Sequence, residues 1–167
     1  MTNIETFERL KMYNPSWGAD MKVRRIGPSP KLIKKFQAHF GFHLPEDYLA
    51  FLNFHNGGYP ERSVFHIKRA PVGYPLESEY QLNLFFYLDD NLDGANNLWA
   101  VTERFRPFIG ETALPFAEDV SGDIVSIETK TGQIQYGNHE ANFENVRVAN
   151  NFMEFLGGLE YDPADEE

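Results

Sequence analysis

The segment 44–58 constrains the fold more than any other part of the chain, because both ends of a helix are marked in it. Pro45 suits the first helical position, where its fixed φ is already helical and its missing N–H costs nothing. Glu46 and Asp47 then place negative charge at the positive end of the helix dipole. Asn56–Gly58 ends the helix, because Asn and Gly tolerate the left-handed conformation that closes a helix C-terminus.

The large side chains inside this segment predict one buried helical face. They recur at positions i, i+3, i+4 and i+7, the spacing of a single face, and they are Tyr48, Phe51, Leu52 and His55. Leu49 and Phe54 lie on the flanks, so we expect neighbouring elements on more than one side. This pattern is typical of a core helix.

Two further helices are predicted before the core helix. Residues 3–12 form a short amphipathic pattern, and the break after it contains Trp17, which we expect to anchor the N-terminal segment. The second helix begins at Ser29 and Pro30, an N-cap followed by proline at the first position, and Gly41 ends it. Because only a short link precedes the core helix, the two helices are expected to pack as an antiparallel or angled pair.

Beyond the core helix the pattern changes to strands. Strands are predicted at 63–68, 82–88, 113–117, 123–128, 133–136 and 146–149, with a loop around Pro71, Gly73 and Pro75. The segment 82–88 is apolar enough for a central strand, and the turn at 130–132 joins two strands into a hairpin. Helices are predicted at 96–105 and 150–156, and the acidic tail from about residue 160 is expected to fray.

This order of elements predicts an α+β fold, with helices packed on one face of a mainly antiparallel sheet. A length of 167 residues and 42% hydrophobic residues fit a single domain over 1–167. The absence of cysteine excludes disulfides, thiolate metal sites and cysteine nucleophiles. The N-terminus does not resemble a signal peptide, and no apolar run is long enough to span a membrane, so we expect a cytoplasmic protein.

The charge balance bears on the kind of partner. The chain has 25 acidic and 15 basic residues, a formal net charge of −10. An acidic surface gains nothing from nucleic acid or an anionic membrane, so both are disfavoured as partners. Basic partners are favoured, although solubility alone also explains such a surplus.

Three stretches of the chain together resemble the SUKH superfamily, whose members carry the SMI–KNR-type domain. They are Leu44-Pro45-x-Asp47-Tyr48-x-x-Phe51-Leu52 with Asn56-Gly57-Gly58, the helix before it, and Phe116-Ala117-x-Asp119-x-x-Gly122-Asp123. The resemblance extends roughly from Trp17 to Leu159 and implies the same α+β architecture. It further implies a bacterial immunity protein that neutralises a secreted toxin, with fungal relatives that act in cell-wall signalling.

The patterns that suggest a metal site are each incomplete. Residues 89–94 match the first half of an EF-hand calcium loop, but position 12 of that loop is Ala100, where a bidentate Glu is required. His39 and His43 have no evident third ligand. We therefore expect an ordinary acidic turn at 89–94 and no bound metal or cofactor.

No catalytic motif of the hydrolase or phosphate-binding kind is present. Glu46 with Asp47, or Asp119 with Asp123, would be the candidate acid/base pairs. Helix N-terminal charge explains the first pair, and turn chemistry around Gly122 explains the second. The sequence therefore predicts a protein that is not an enzyme.

Acidic residues at strand ends and turns are the candidate for a binding surface. They are Glu77, Glu79, Asp89, Asp90, Asp93, Glu118, Asp119 and Asp123, and the aromatic residues that would join them are Tyr59, Tyr74, Tyr80 and Trp99. Aromatic anchors with a charged rim are typical of protein-binding surfaces. The predicted partner-binding residues are Asp89, Asp90, Asp93, Glu118, Asp119, Asp123, Tyr59 and Trp99, and the alternative is that these loops are simply polar.

The first functional hypothesis is a non-catalytic immunity protein that blocks a cognate, basic toxin. Nuclease toxins carry basic substrate clefts, and an acidic inhibitor can mimic the phosphate charge. The alternative is a regulatory or scaffold domain of the cell-wall-signalling kind. A hydrolase with paired carboxylates is the third hypothesis, and no motif supports it.

Overall fold

The computed structural model describes residues 2–13, 26–67 and 79–166. The helices in these ranges are α1 (Asn3–Arg9), α2 (Pro30–Phe40), α3 (Glu46–Phe54), α4 (Leu98–Ile109) and α5 (Phe152–Gly157). The strands are β1 (Met12–Tyr13), β2 (Tyr59–Pro60), β3 (Arg62–His66), β4 (Glu79–Phe85), β5 (Ala113–Asp119), β6 (Ile124–Glu128), β7 (Ile134–Gly137), β8 (Asn145–Ala149) and β9 (Glu160–Tyr161). Trp17, the loop around Pro71, Gly73 and Pro75, and the residues Tyr74 and Glu77 lie outside the described ranges.

The ends of α2 follow the predicted caps. The Ser29 hydroxyl accepts a hydrogen bond from the Leu32 N–H at 3.1 Å, and Pro30 is the first helical residue. Gly41 closes the helix in the left-handed conformation with φ of +76°. These are local interactions, so the sequence around each end was sufficient to predict them.

The core helix α3 differs from the prediction by one residue at each end. Pro45 has extended backbone and precedes the helix, whose first residue is Glu46. At the other end His55 is already extended, with φ of −126° and ψ of 98°. His55 is nevertheless buried, and its Nε2 lies 3.1 Å from the Phe7 carbonyl oxygen on α1.

The main sheet has seven strands in the order β8-β7-β6-β5-β4-β3-β9, and the neighbouring strands pair antiparallel. A separate two-stranded sheet joins β1 to β2. The start of the acidic tail does not fray as predicted: Glu160 and Tyr161 form β9 and pair with β3. This pairing joins residues about a hundred positions apart, so no local pattern signals it.

The two faces of β4 have opposite character. Tyr80, Leu82 and Leu84 are buried, whereas Glu79, Gln81 and Asn83 are exposed or half-buried. Aromatic contacts join the helices to the buried side of the sheet, including Phe51 to Phe85 at 5.0 Å, Tyr48 to Phe116 at 6.1 Å and Phe65 to Phe155 at 5.6 Å between ring centroids. The predicted α+β architecture is confirmed, and it leaves a polar face of β4 partly open.

Within the described ranges, no helix combines the length and the apolar character that crossing a bilayer requires.

Candidate binding surface

The Asn56–Gly58 motif fastens the end of α3 to the segment that follows β4. The Asn56 side chain donates to the carbonyl oxygens of Leu88 at 2.8 Å and Ile26 at 2.9 Å, and its Oδ1 accepts from the Leu88 N–H at 2.8 Å. These three hydrogen bonds hold the segments around Ile26 and Leu88 against the end of α3. Breaking one would leave a buried donor or acceptor unpaired, at the cost of its desolvation free energy.

Gly57 is needed for a close approach in the same region. Its φ is +80°, and a Cβ atom there would lie 2.8 Å from the Cβ of Tyr87. The backbone between α3 and β2 therefore passes directly against the end of β4 and Tyr87, two residues beyond it. Asn56 and Gly57 together make this motif a structural joint between a helix and the sheet.

Asp119 and Asp123, two predicted partner-binding residues, are buried in the turn between β5 and β6. Asp119 is 3% exposed and Asp123 is 1% exposed. Asp119 Oδ1 accepts from the N–H groups of Ser121 at 2.9 Å and Asp123 at 2.8 Å, as predicted for turn chemistry. Because both side chains are almost completely buried and bonded within the turn, they offer a partner little surface, and we remove both from the predicted binding surface.

The two buried carboxylates share a network with Tyr136 and His139. The Tyr136 hydroxyl donates to Asp119 Oδ2 at 2.5 Å, and burial raises the pKa of both Tyr136 and Asp119 above their ordinary values. Asp123 Oδ1 accepts from the backbone N–H of His139 at 2.8 Å and lies 2.7 Å from its Nδ1. The hydrogen bond to Asp123 raises the pKa of His139. This network joins β5 and the β5–β6 turn to β7 and the segment after it.

Trp99, another predicted partner-binding residue, belongs to the core between α2 and α4. It is 9% exposed, and its ring packs edge-on against Phe36 at 5.9 Å and Phe40 at 5.4 Å. His39 stacks on the same ring at 4.6 Å and contacts Glu103 Oε1 at 3.0 Å. Trp99 therefore holds two helices together and is also removed from the predicted surface.

The predicted acidic loop lies before α4. Asp90 and Asp93 are exposed, and Asp89 is half-buried. Asp89 Oδ1 accepts from the Asn91 N–H at 2.9 Å and from Asn97 Nδ2 at 3.0 Å, so its oxygen already serves the turn that leads into the helix. In the part of the chain that the structure describes, no group of three or more acidic or histidine residues is arranged to hold a metal ion.

A groove of about 670 Å³ lies on the open face of β4, and we call it the sheet-face groove. Its lining residues are Tyr13, Tyr59, Pro60, Glu61, Ser63, Gln81, Leu82, Asn83, Val120 and Tyr161. A smaller cavity of about 200 Å³ shares Gln81 and Val120 with it, and its other lining residues are Val64, Glu79, Tyr80, Asp119, Ser121 and Asp162. Of the predicted binding residues, Tyr59 lines this groove and Glu118 adjoins it through a 3.2 Å hydrogen bond from Asn83.

The groove combines aromatic, apolar and acidic groups. Tyr13 and Tyr59 stack with ring centroids 5.6 Å apart, and Val120 is 62% exposed at the β5–β6 turn. At one end Lys11 Nζ and the Arg62 guanidinium lie over the Tyr161 ring, at 5.4 Å and 4.2 Å from its centroid. The hydrogen bond with Lys11 lowers the pKa of Tyr161.

Sequence reasoning missed most of this groove. β1, β2 and β9 have two residues each, too few to show the alternation that identifies a strand. An available signal was Val120, an apolar residue inside an otherwise polar turn.

Comparison with curated proteins gives no significant match. Comparison with known families matches residues 27–158 to the SMI1/KNR4 family (SUKH-1). The matched range contains both motifs described above, the joint at Asn56–Gly58 and the buried turn at Asp119–Asp123. The chain therefore belongs to the SMI1/KNR4 family (SUKH-1).

Proposed function

We propose that this protein is a non-catalytic immunity protein that acts in the cytoplasm by binding and neutralising a cognate toxin. The observation that carries the proposal is the family match over residues 27–158, because it agrees with the immunity role that the resemblance implies. The buried carboxylate pair supports a role without catalysis, since Asp119 and Asp123 are almost completely buried and bonded within a turn.

The acidic surface supports a basic toxin as the partner. With a formal charge of −10, the protein attracts a cationic surface at long range. The carboxylates of Asp90 and Asp93 are exposed and can take part in such an encounter. Asp89 and Glu118 are half-buried, and each already accepts a hydrogen bond from a neighbouring amide. A toxin that cleaves nucleic acid presents a basic cleft, so nucleases are the class of toxin that this surface fits.

The proposal is tested by co-expression with a candidate toxin encoded by a gene next to that of this protein. We expect growth to be restored and a complex of fixed stoichiometry to elute as one species in size-exclusion chromatography. A regulatory or scaffold domain, the alternative function, would neither restore growth nor bind the toxin. Either negative result with folded protein contradicts the immunity role.

The contribution of the acidic loop is tested with paired charge reversals. Asp90→Lys with Asp93→Lys is expected to weaken toxin binding, because it replaces attraction by repulsion. Glu111→Lys with Glu144→Lys, also at exposed positions, is the matched control for net charge. Equal binding by the two double variants would show that the loop itself makes no contact and that only total charge matters.

A further inference from the structure

The sheet-face groove has the properties of a protein-docking site, which the acidic loop by itself lacks. It presents a half-buried tyrosine pair, an exposed apolar residue and polar side chains along one open face of the sheet. Tyrosine is among the residues that dominate binding energy at interfaces, because it offers a large rigid area with a polar end. Apolar groups surrounded by polar and charged groups are the usual arrangement of such a surface.

The charge distribution indicates the chemistry of the occupant. Glu61, Glu79 and Asp162 line the groove or the cavity that adjoins it, and Glu118 lies next to Asn83. Among the described residues, neither lining contains a lysine or an arginine. The two nearby cations, Lys11 and Arg62, both lie over Tyr161 at one end. A positively charged occupant therefore complements the groove over most of its length, away from Tyr161.

The polar groups of the groove indicate the shape of the occupant. Gln81 and Asn83 project from alternate positions of β4, and each carries an amide with both donor and acceptor atoms. Gln81 Nε2 donates to Ser63 Oγ at 3.3 Å, and Asn83 Nδ2 donates to Glu118 Oε1 at 3.2 Å. These hydrogen bonds hold both amides in place. Two amides held two positions apart on one face of β4 offer polar groups that a segment lying along the strand can hydrogen-bond.

We propose that the sheet-face groove binds an extended, basic segment of the partner protein, with an apolar side chain against Val120 and a cationic side chain near Tyr59. This inference rests on the proposed function for the identity of the partner as the toxin. It goes beyond that function by assigning the contact surface and the chemistry of the segment that occupies it. A cationic group over a tyrosine ring gains a cation–π contact, and Glu61 and Glu118 supply the opposite charge.

The first test is Val120→Arg, measured in the full chain against the toxin encoded beside it. Val120 lies at an exposed turn, so this change should leave the melting temperature close to that of the wild type. We expect the dissociation constant to rise by about 30-fold or more, the effect of losing a central contact residue. Ile4→Arg is the matched control, since Ile4 is 54% exposed on α1 and outside the groove, and it should change affinity by less than about threefold.

A second test uses a defined probe and does not depend on the toxin. A capped octapeptide of alternating arginine and threonine should shift the amide resonances of Gln81, Asn83 and Val120, whereas the glutamate–threonine peptide should not. Tyr59→Ala should weaken binding of the arginine peptide.

The outcomes separate the two proposals. Failure of the wild type to bind the toxin or restore growth would overturn the immunity role, and the peptide test would still decide the groove. Wild-type affinity in both Val120→Arg and Tyr59→Ala, or an arginine peptide that shifts no groove resonance, would overturn the docking site and leave the immunity role standing.

Discussion

Two buried polar side chains, Asn56 and Asp119, explain at the residue scale why the family motifs have their composition. Asn56 bonds the backbone of two other segments, and Asp119 bonds the backbone of its own turn. Both are almost completely buried, at 1% and 3% exposure. The geometry requires a short side chain in each case, an amide at position 56 and a carboxylate at position 119, so both residues serve the scaffold.

Asn56→Ala tests this structural reading. The change removes three hydrogen bonds and leaves the Leu88 backbone groups buried without their side-chain partner. We expect the free energy of unfolding to fall by roughly 2–4 kcal/mol, measured by urea denaturation. Asn53→Ala, at an exposed position of α3, is the control and should change stability by less than about 0.5 kcal/mol. A loss below about 0.5 kcal/mol in Asn56→Ala would contradict the structural role assigned to Asn56.

The contact between His139 and Asp123 should make a pH-dependent contribution to the stability of the fold. Its hydrogen bond to Asp123 raises its pKa in the folded state above the ordinary 6.5, so folding favours the protonated imidazole. This contribution is fully present below the unfolded pKa and is lost as the pH rises through the folded pKa. We therefore expect the stability difference between wild type and His139→Gln to be largest near about pH 5.5 and to decrease to a constant value toward about pH 9.

The measurement is chemical denaturation of both proteins across this pH range. His43→Gln, which removes another exposed imidazole, is the control for the general effect of losing a histidine. A difference that stays constant with pH would show that the contact with Asp123 does not titrate in this range.

At the scale of elements, α3 is the helix on which the core is assembled. Phe51 contacts Phe7 of α1 at 5.4 Å, Phe85 of β4 at 5.0 Å and Phe152 of α5 at 5.2 Å between ring centroids. A single residue thus joins two helices and a strand. Both flanking residues of α3, Leu49 and Phe54, are partly buried against the core, so the helix has neighbours beyond its buried face, as expected.

Leu52→Ala tests the buried face of α3. Leu52 is 0% exposed, so the change leaves a cavity and should cost roughly 2–5 kcal/mol. Leu49→Ala on the half-buried flank is the matched control and should cost less than about 2 kcal/mol. Denaturation midpoints and slopes of the two variants give the comparison. Equal losses would mean that the face is assigned incorrectly.

At the scale of the whole molecule, the acidic surplus predicts the kinetics of the proposed complex. Charges on two exposed surfaces attract over distances that salt screens, with a screening length of about 8 Å at physiological ionic strength. With a formal charge of −10, association with a basic toxin should slow as salt is added. Stopped-flow association rates at several salt concentrations measure this dependence.

The dependence should be smaller in the Asp90→Lys, Asp93→Lys variant, because that variant carries less negative charge on the exposed loop. As salt is added, the dissociation rate is expected to change less than the association rate, because salt screens the close, desolvated contacts in the groove only weakly. An association rate independent of salt would leave the acidic surplus with a role in solubility alone.

The sequence by itself determined the features that depend on neighbouring residues. The cap at Ser29, the left-handed end at Gly41 and the buried face of α3 each involve contacts within a turn or two of helix, so a local pattern predicts them. The α+β class followed from the order of such elements. The start of α3 was misplaced by one residue because Pro45 is compatible with both the cap and the first turn.

Only the tertiary structure decided which polar and aromatic residues are buried and which line the groove. Asp119 and Asp123 have the composition of an exposed acidic turn, and their burial depends on Tyr136 and His139 from another strand and the segment after it. The sheet-face groove likewise exists because two-residue strands from distant parts of the chain meet beside β4. Such contacts form across long stretches of sequence and are selected by the packing of the whole core, which no local pattern contains.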